Sequence, residues 1–188
     1  CGGGNGLITR SPKKQKSSTQ VPGSEQEAAS TPQEQDVDCL VTFPDQNLHN
    51  AVCGLFDMQD NCDLSCDDPR FLSASFVVFD NREIQDITGI ERFANIRHLS
   101  LQRNEINDIS AVSSLGNLVM LKLFDNQISD ISSISNLNNL TDLDLGNNQI
   151  SDISGIANLS SLNHLMLFGN EIDNLSAISG LDNLRTLH

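Results

Sequence analysis

The chain has neither tryptophan nor tyrosine, and its eight aromatic residues are all phenylalanine. A ring outside a core position therefore stands out. Basic residues are also scarce. Lys and Arg number 11 against 25 Asp and Glu, a formal charge of −14. The first 36 residues hold four of each sign, so the remainder, with 7 basic and 21 acidic residues, carries the whole excess. This argues against a nucleic-acid partner, which needs clustered Lys and Arg; the acidic excess suits a cationic or neutral protein partner and equally a surface charged for solubility. No apolar run is long enough to span a bilayer. Cysteine is absent after Cys66, and no CxxC pair occurs.

What the chain does have is a repeat. Asn104, Asn126, Asn148 and Asn170 stand 22 residues apart, and the surrounding leucines keep the same step. The units LSLQRNEINDISAVSSLGNLVM, LKLFDNQISDISSISNLNNLTD, LDLGNNQISDISGIANLSSLNH and LMLFGNEIDNLSAISGLDNLRT share the consensus LxLxxNxIxDIxxIxxLxxLxx. A worn copy precedes them, with Val77, Phe79, Ile84, Ile87, Ile90, Phe93 and Ile96 on the leucine positions. Its asparagine is shifted to Asn81, and Arg82 takes the usual slot. Such periodicity means stacked coils, each too small to bury its own core.

Each position has a physical role. Leu121 and Leu123 alternate with Met120, Lys122 and Phe124, the period of a short strand. Stacked copies make one parallel sheet with neighbours about 4.8 Å apart. Asn126 turns the chain, and its amide can satisfy backbone groups from coil to coil. Ser110, Ser132, Ser154 and Ser176 are expected as N-caps, with Asp108, Asp130 and Asp152 orienting the same corner. The three-residue step Ile134, Leu137, Leu140 suits a 3₁₀ turn. The expected class is α/β: a curved solenoid with a parallel sheet on the concave face, 3₁₀ or short helical turns on the convex face, and a small helical cap.

From about Val77 to His188 the motifs resemble the leucine-rich repeat family, and the N-x-I-x-D-I corner looks most like the bacterial repeats of the internalins. Phe43-Pro44-Asp45 followed by NLHNAVCGLF is similar to the small cap ahead of internalin repeats. The resemblance implies a leucine-rich repeat solenoid whose concave sheet binds other proteins. Host-cell adhesion is only an analogy, since many such repeats serve inside the envelope.

Three segments follow. Residues 1–36 read as a disordered tether of Gly, Ser, Gln, Lys, Glu, Thr and Pro. Its start, Cys1 followed by Gly2, Gly3 and Gly4, resembles a mature bacterial lipoprotein whose signal peptide has been removed. Cys1 would carry a palmitate-type lipid anchor, and Gly2 is compatible with the outer membrane, on its periplasmic or cell-surface face. Arg10, Lys13, Lys14 and Lys16 serve the solubility of the tether or touch anionic headgroups. Residues 37–75 form the cap, with Leu48, Val52, Leu55 and Phe56 on one side of a helix that Asp45 caps. Cys39, Cys53, Cys62 and Cys66 read as two disulfides in an exported chain. Three pairings are possible, with Cys39–Cys53 and Cys62–Cys66 favoured; a Cys₄ zinc site is the rival. Residues 76–188 are the repeats: one degenerate copy, three complete ones, and the last one or two truncated. The array stops inside a strand at His188, as in a fragment or a coil covered by a partner.

The outward strand positions form columns on the concave face. They run His98, Met120, Asp142, His164; then Ser100, Lys122, Asp144, Met166; then Gln102, Phe124, Gly146, Phe168. Phe124 and Phe168, two coils or about 10 Å apart, are expected as anchors flanking a shallow slot above Gly146, near Met120 and Met166. The alternative is that the rings pack on each other or on loops. Asp142 and Asp144 can pair with a partner's Lys or Arg. His98 and His164 lie three coils apart, too far for joint metal ligation, while Asp142 could reach His164. Ser100 completes no triad. The chain is read as a protein-binding module, not an enzyme, without cofactor or small-molecule substrate. The second reading is an envelope assembly protein that self-associates through an open C-terminal coil.

Overall fold

The computed structural model describes residues 40–58 and 62–188. The tether, with Cys1, and Cys39 of the cap lie outside the described residues. Six short strands, β1 (Phe76–Val78), β2 (His98–Ser100), β3 (Met120–Lys122), β4 (Asp142–Asp144), β5 (His164–Met166) and β6 (Thr186–Leu187), form one parallel sheet in chain order. The register is a constant one-repeat shift: Val77 pairs Leu99, then Leu121, Leu143, Leu165 and Leu187. Opposite the sheet, each coil closes with a 3₁₀ turn at Ile90–Arg92, Ser110–Ser114, Ser132–Ile134, Ser154–Ile156 or Ser176–Gly180. Between the layers Leu121, Leu123, Ile128, Ile134, Leu137 and Leu140 are each 0% exposed. Burying one such side chain is worth about 1.5–3 kcal/mol.

The asparagine ladder spans coils in both directions. Asn126 Nδ2 donates to Leu101 O and Leu123 O at 3.0 Å, and its Oδ1 accepts Ile106 N at 3.1 Å. Asn104, Asn148 and Asn170 repeat the pattern. A second amide ladder was not anticipated. Asn117, Asn139 and Asn183 donate to the carbonyls of Ala94, Gly116 and Ser160 in the preceding coil, and Asn95 donates to Leu72 O in the cap. Ser161 occupies the missing rung.

Two corner expectations change. Asn81 is not a shifted ladder residue. It has φ 57°, and Arg103, Asp125, Asn147 and Gly169 share that left-handed corner at 54°, 59°, 53° and 69°. Asparagine and glycine tolerate this conformation best. Arg82 does hold the ladder slot, and its own amide donates to Asn104 Oδ1. The serines are not the caps either. Ile109, Ile131, Ile153 and Leu175 occupy the cap position without a side-chain bond. The residue before each accepts the serine amide instead: Asp108 from Ser110 at 2.7 Å, Asp130 from Ser132 and Asp152 from Ser154 at 2.8 Å, and Asn174 from Ser176 at 2.9 Å. A short carboxylate reaching two residues ahead makes an Asx turn, which leaves the isoleucine free to enter the core. The Ser132 amide, then its hydroxyl, holds the Asp130 carboxyl below its usual range.

The cap contains α1 (Gln46–Leu55) and α2 (Pro69–Ser73). Asp45 accepts Asn47 N and Leu48 N with Oδ1, capping α1. Its Oδ2 accepts Gln85 N at 2.6 Å and Asp86 N at 3.1 Å from the first coil. Burial pushes this carboxyl up, but the amides of Gln85, Leu48, Asp86 and Asn47 bring it below its ordinary value. Phe43, Phe56, Phe71, Phe79 and Phe93 form a chain of ring contacts from cap to coil, with Phe71–Phe93 closest at 5.0 Å. Gly89, at φ 106°, lies so close to Phe43 that a Cβ would sit 2.5 Å from the ring. In α1 the buried residues are Leu48, Ala51, Val52 and Cys53. Leu55 is exposed, and Phe56 just beyond the helix makes the contact with Phe71 and Phe93.

The favoured disulfide pairing is corrected. Cys53 bonds Cys62, with Cα atoms 5.7 Å apart, so neither can bond Cys39 or Cys66. Cys53 sits in the last turns of α1, and the left-handed turn at Asp57 folds the chain back so that Cys62 is the near thiol. Cys66 is disulfide-bonded as well.

Candidate concave recognition face

The strand geometry sets every outward residue. The inward leucine of each three-residue strand is buried, so its two neighbours face the concave side. The register puts His98, Met120, Asp142 and His164 in one column and Ser100, Lys122, Asp144 and Met166 in the next. Both columns begin one coil earlier than the four intact repeats suggested. Phe76 and Val78 head them, 62% and 43% exposed. The worn repeat carried this signal in the same alternation, with Val77 inward between them. Phe76 touches the His98 ring at 5.9 Å.

Ser100 was expected on the open face but is buried. Its Oγ donates to Asp80 Oδ1 at 2.7 Å, and Gln102 covers both through its amide and Nε2. A small hydroxyl beside a longer carboxylate and amide is simply overlaid. Asp142 accepts the Thr141 hydroxyl at 2.6 Å, and His164 Nδ1 meets the Thr186 hydroxyl at 3.1 Å. Each thus has a partner of its own rather than the other. Met120, Lys122, Asp142, Asp144, His164 and Met166 enclose a shallow hollow of about 290 Å³.

The expected slot between Phe124 and Phe168 is closed. The rings lean together at 5.8 Å and 40°, above Gly146. A Cβ on Gly146 would sit 2.8 Å from Phe168, so the missing side chain is what lets the rings meet. Hydrophobic contact between the exposed Phe168 ring and the half-buried Phe124 ring wins over an open gap filled with water. The pair forms a shelf instead. The Arg103 guanidinium lies 6.0 Å over the Phe124 ring. Asp80, Gln102, Asp144 and Met166 complete a hollow of about 390 Å³ beside it.

Chemically the face is a display surface. Its carboxylates and imidazoles project from separate coils, and its buried serine faces a carboxylate with no base between them. Among the described residues the one His/Cys grouping within metal-ligand reach is His49, Cys53 and Cys62, within 4.8 Å. Both sulfurs there are joined in the disulfide, so they offer no thiolates. No described helix is long and apolar enough to cross a membrane.

One strand per coil, a 3₁₀ return and an asparagine ladder define a leucine-rich repeat solenoid. Residues 116–158 match the family described as leucine rich repeats (2 copies). No curated protein matches the sequence. Among solved structures, an internalin (inlF) from Listeria monocytogenes superposes with TM-score 0.65 at 27% identity, covering 77% of this chain and 49% of that one. The functional domain of InlJ, also from Listeria monocytogenes, gives TM-score 0.65 at 25% identity, covering 76% of this chain and 30% of that one. This chain therefore spans about half or less of those structures. The latter is described as including a cysteine ladder. Here the repeats hold no cysteine, and asparagine makes the ladder. By fold the chain is a leucine-rich repeat solenoid, similar in structure to these internalins. Such folds generally serve as non-enzymatic scaffolds that bind proteins.

Proposed function

We propose that the chain is the recognition module of an exported bacterial lipoprotein, gripping a protein partner with its concave face. The observation that carries this reading is the placement of Phe76, Val78, Phe124 and Phe168 on the water side of a sheet whose core is already filled by leucines. Exposed rings that the fold does not need are typical anchors of interfaces. The scaffold is fixed before binding, so little ordering entropy is lost. Export is supported by the Cys53–Cys62 disulfide, since such bonds persist outside reducing compartments. Attachment through a lipid on Cys1, at the outer membrane, rests on the likeness of the leading Cys-Gly-Gly-Gly to processed lipoproteins. Mass spectrometry of the envelope-extracted chain, with protease shaving of whole cells, tests that part. Crosslinked capture from intact envelope tests the face. Partner recovery should drop at least tenfold for the Phe124→Ala/Phe168→Ala pair; equal recovery would remove the concave reading.

A further inference from the structure

We infer that the hollow beside the Phe124–Phe168 shelf receives a positively charged side chain, Lys or Arg, projecting from the protein partner. This rests on the concave-face reading above and narrows it to one ligand chemistry.

Three features of the hollow agree. The first is the aromatic surface. A benzene face carries negative electrostatic potential, and a cation within about 6 Å of its centroid is attracted. The protein already uses this on itself, with the Arg103 guanidinium 6.0 Å over Phe124. Phe168 is 46% exposed and is not reached by that guanidinium. The second feature is charge. Asp80 and Asp144 line the hollow with Arg103 as the cation in its lining, and since Ser100 and Gln102 already bond both Asp80 oxygens, Asp144 is the carboxylate open to a ligand. Asp144 commits Oδ1 to the Gly146 amide at 3.1 Å, and its Oδ2 is left for a ligand. The third is shape. A volume of about 390 Å³ walled by Met166 admits one long side chain with its stem on the thioether and its head at the Asp144 carboxylate.

The rival occupants fit less well. An anion would face two carboxylates. A purely apolar side chain would strip water from Asp144 Oδ2 without replacing it, a cost that offsets ring contact. The chain's overall excess of acid draws cationic ligands to the surface.

The test uses the full chain and peptides selected on it from a displayed random library. Binders that lose affinity on Phe76→Ser or Phe168→Leu are assigned to the concave face. Each Lys or Arg of such a binder is then replaced by norleucine or citrulline, which keep length and remove charge. One position should show a loss of about tenfold, shrinking to less than about twofold when the chain carries Asp144→Asn or Phe168→Leu. Arg103→Asn, which suits the left-handed corner, should tighten the same binder by about threefold by freeing the Phe124 face and removing a like charge. Concave-face binders insensitive to every neutralised cation, or weakened by Arg103→Asn, would overturn the inference and leave the broader reading standing. A library that yields no concave-face binder at all would overturn both.

Discussion

The seam between cap and first coil and the seams between later coils solve one problem differently. Between repeats, identical surfaces meet. Leucine lies on leucine in a constant register, and one asparagine per coil satisfies the open backbone groups. At the cap the partner surface is unlike the coil. Five phenylalanines fill the mismatch, and a single carboxylate, Asp45, replaces the amide ladder by holding two helix amides and two coil amides together. Regular seams need small, repeatable groups. An irregular seam needs large side chains that fill odd volumes and a polar group that serves both sides. The same contrast sorts the aromatics, because the three phenylalanines outside the cap seam all lie on the concave face.

The comparison can be broken at several strengths. Phe71→Ala should have the largest effect, about 3–5 kcal/mol in urea unfolding, because its ring is 1% exposed and touches three others. Asn126→Ala should follow at about 1–3 kcal/mol, since it orphans Ile106 N in the core and leaves Leu101 O and Leu123 O with one ladder amide each, from Asn104 and Asn148. Asn170→Ala, only partly buried, should cost less, and equal losses would show that burial does not set the ladder's value. Asp45→Ala should cost about 1–2 kcal/mol, the usual scale for a lost cap. Its carboxyl is depressed in the folded chain, so its contribution is present above the unfolded value near 3.9 and lost as pH falls through the lower folded value. Between about pH 5 and pH 3 the variant should therefore lose stability less steeply than the wild type. Arg103→Asn should be the smallest change, a gain of about 0.5–1 kcal/mol from relieving a left-handed arginine.

How much was legible follows the same divide. The coils, their register and the amide ladder could be read because stacking turns a 22-residue period directly into geometry. Phe76 and Val78 were equally readable but sat in the worn copy, where the leucines had become other residues. The second ladder, through Asn95, Asn117, Asn139 and Asn183, had the same period and was hidden by the more conspicuous first one. The corner caps were misread because aspartate and serine both cap turns, and the sequence does not say which oxygen reaches which amide. The cap's disulfide was illegible for a different reason: nothing repeats there, and the pairing depends on where the chain turns after α1. The closed Phe124–Phe168 pair depended on tilt, which spacing alone does not carry.

The role proposed for the concave rings is recognition, not support of the fold. A chain carrying Phe76→Ser and Phe168→Ser, followed in parallel by urea unfolding and by crosslinked capture of the envelope partner, tests it most directly. The expected result is an unfolding free energy within about 1 kcal/mol of the wild type together with capture reduced at least tenfold. A chain that loses several kcal/mol, or one that captures its partner undiminished, would contradict it.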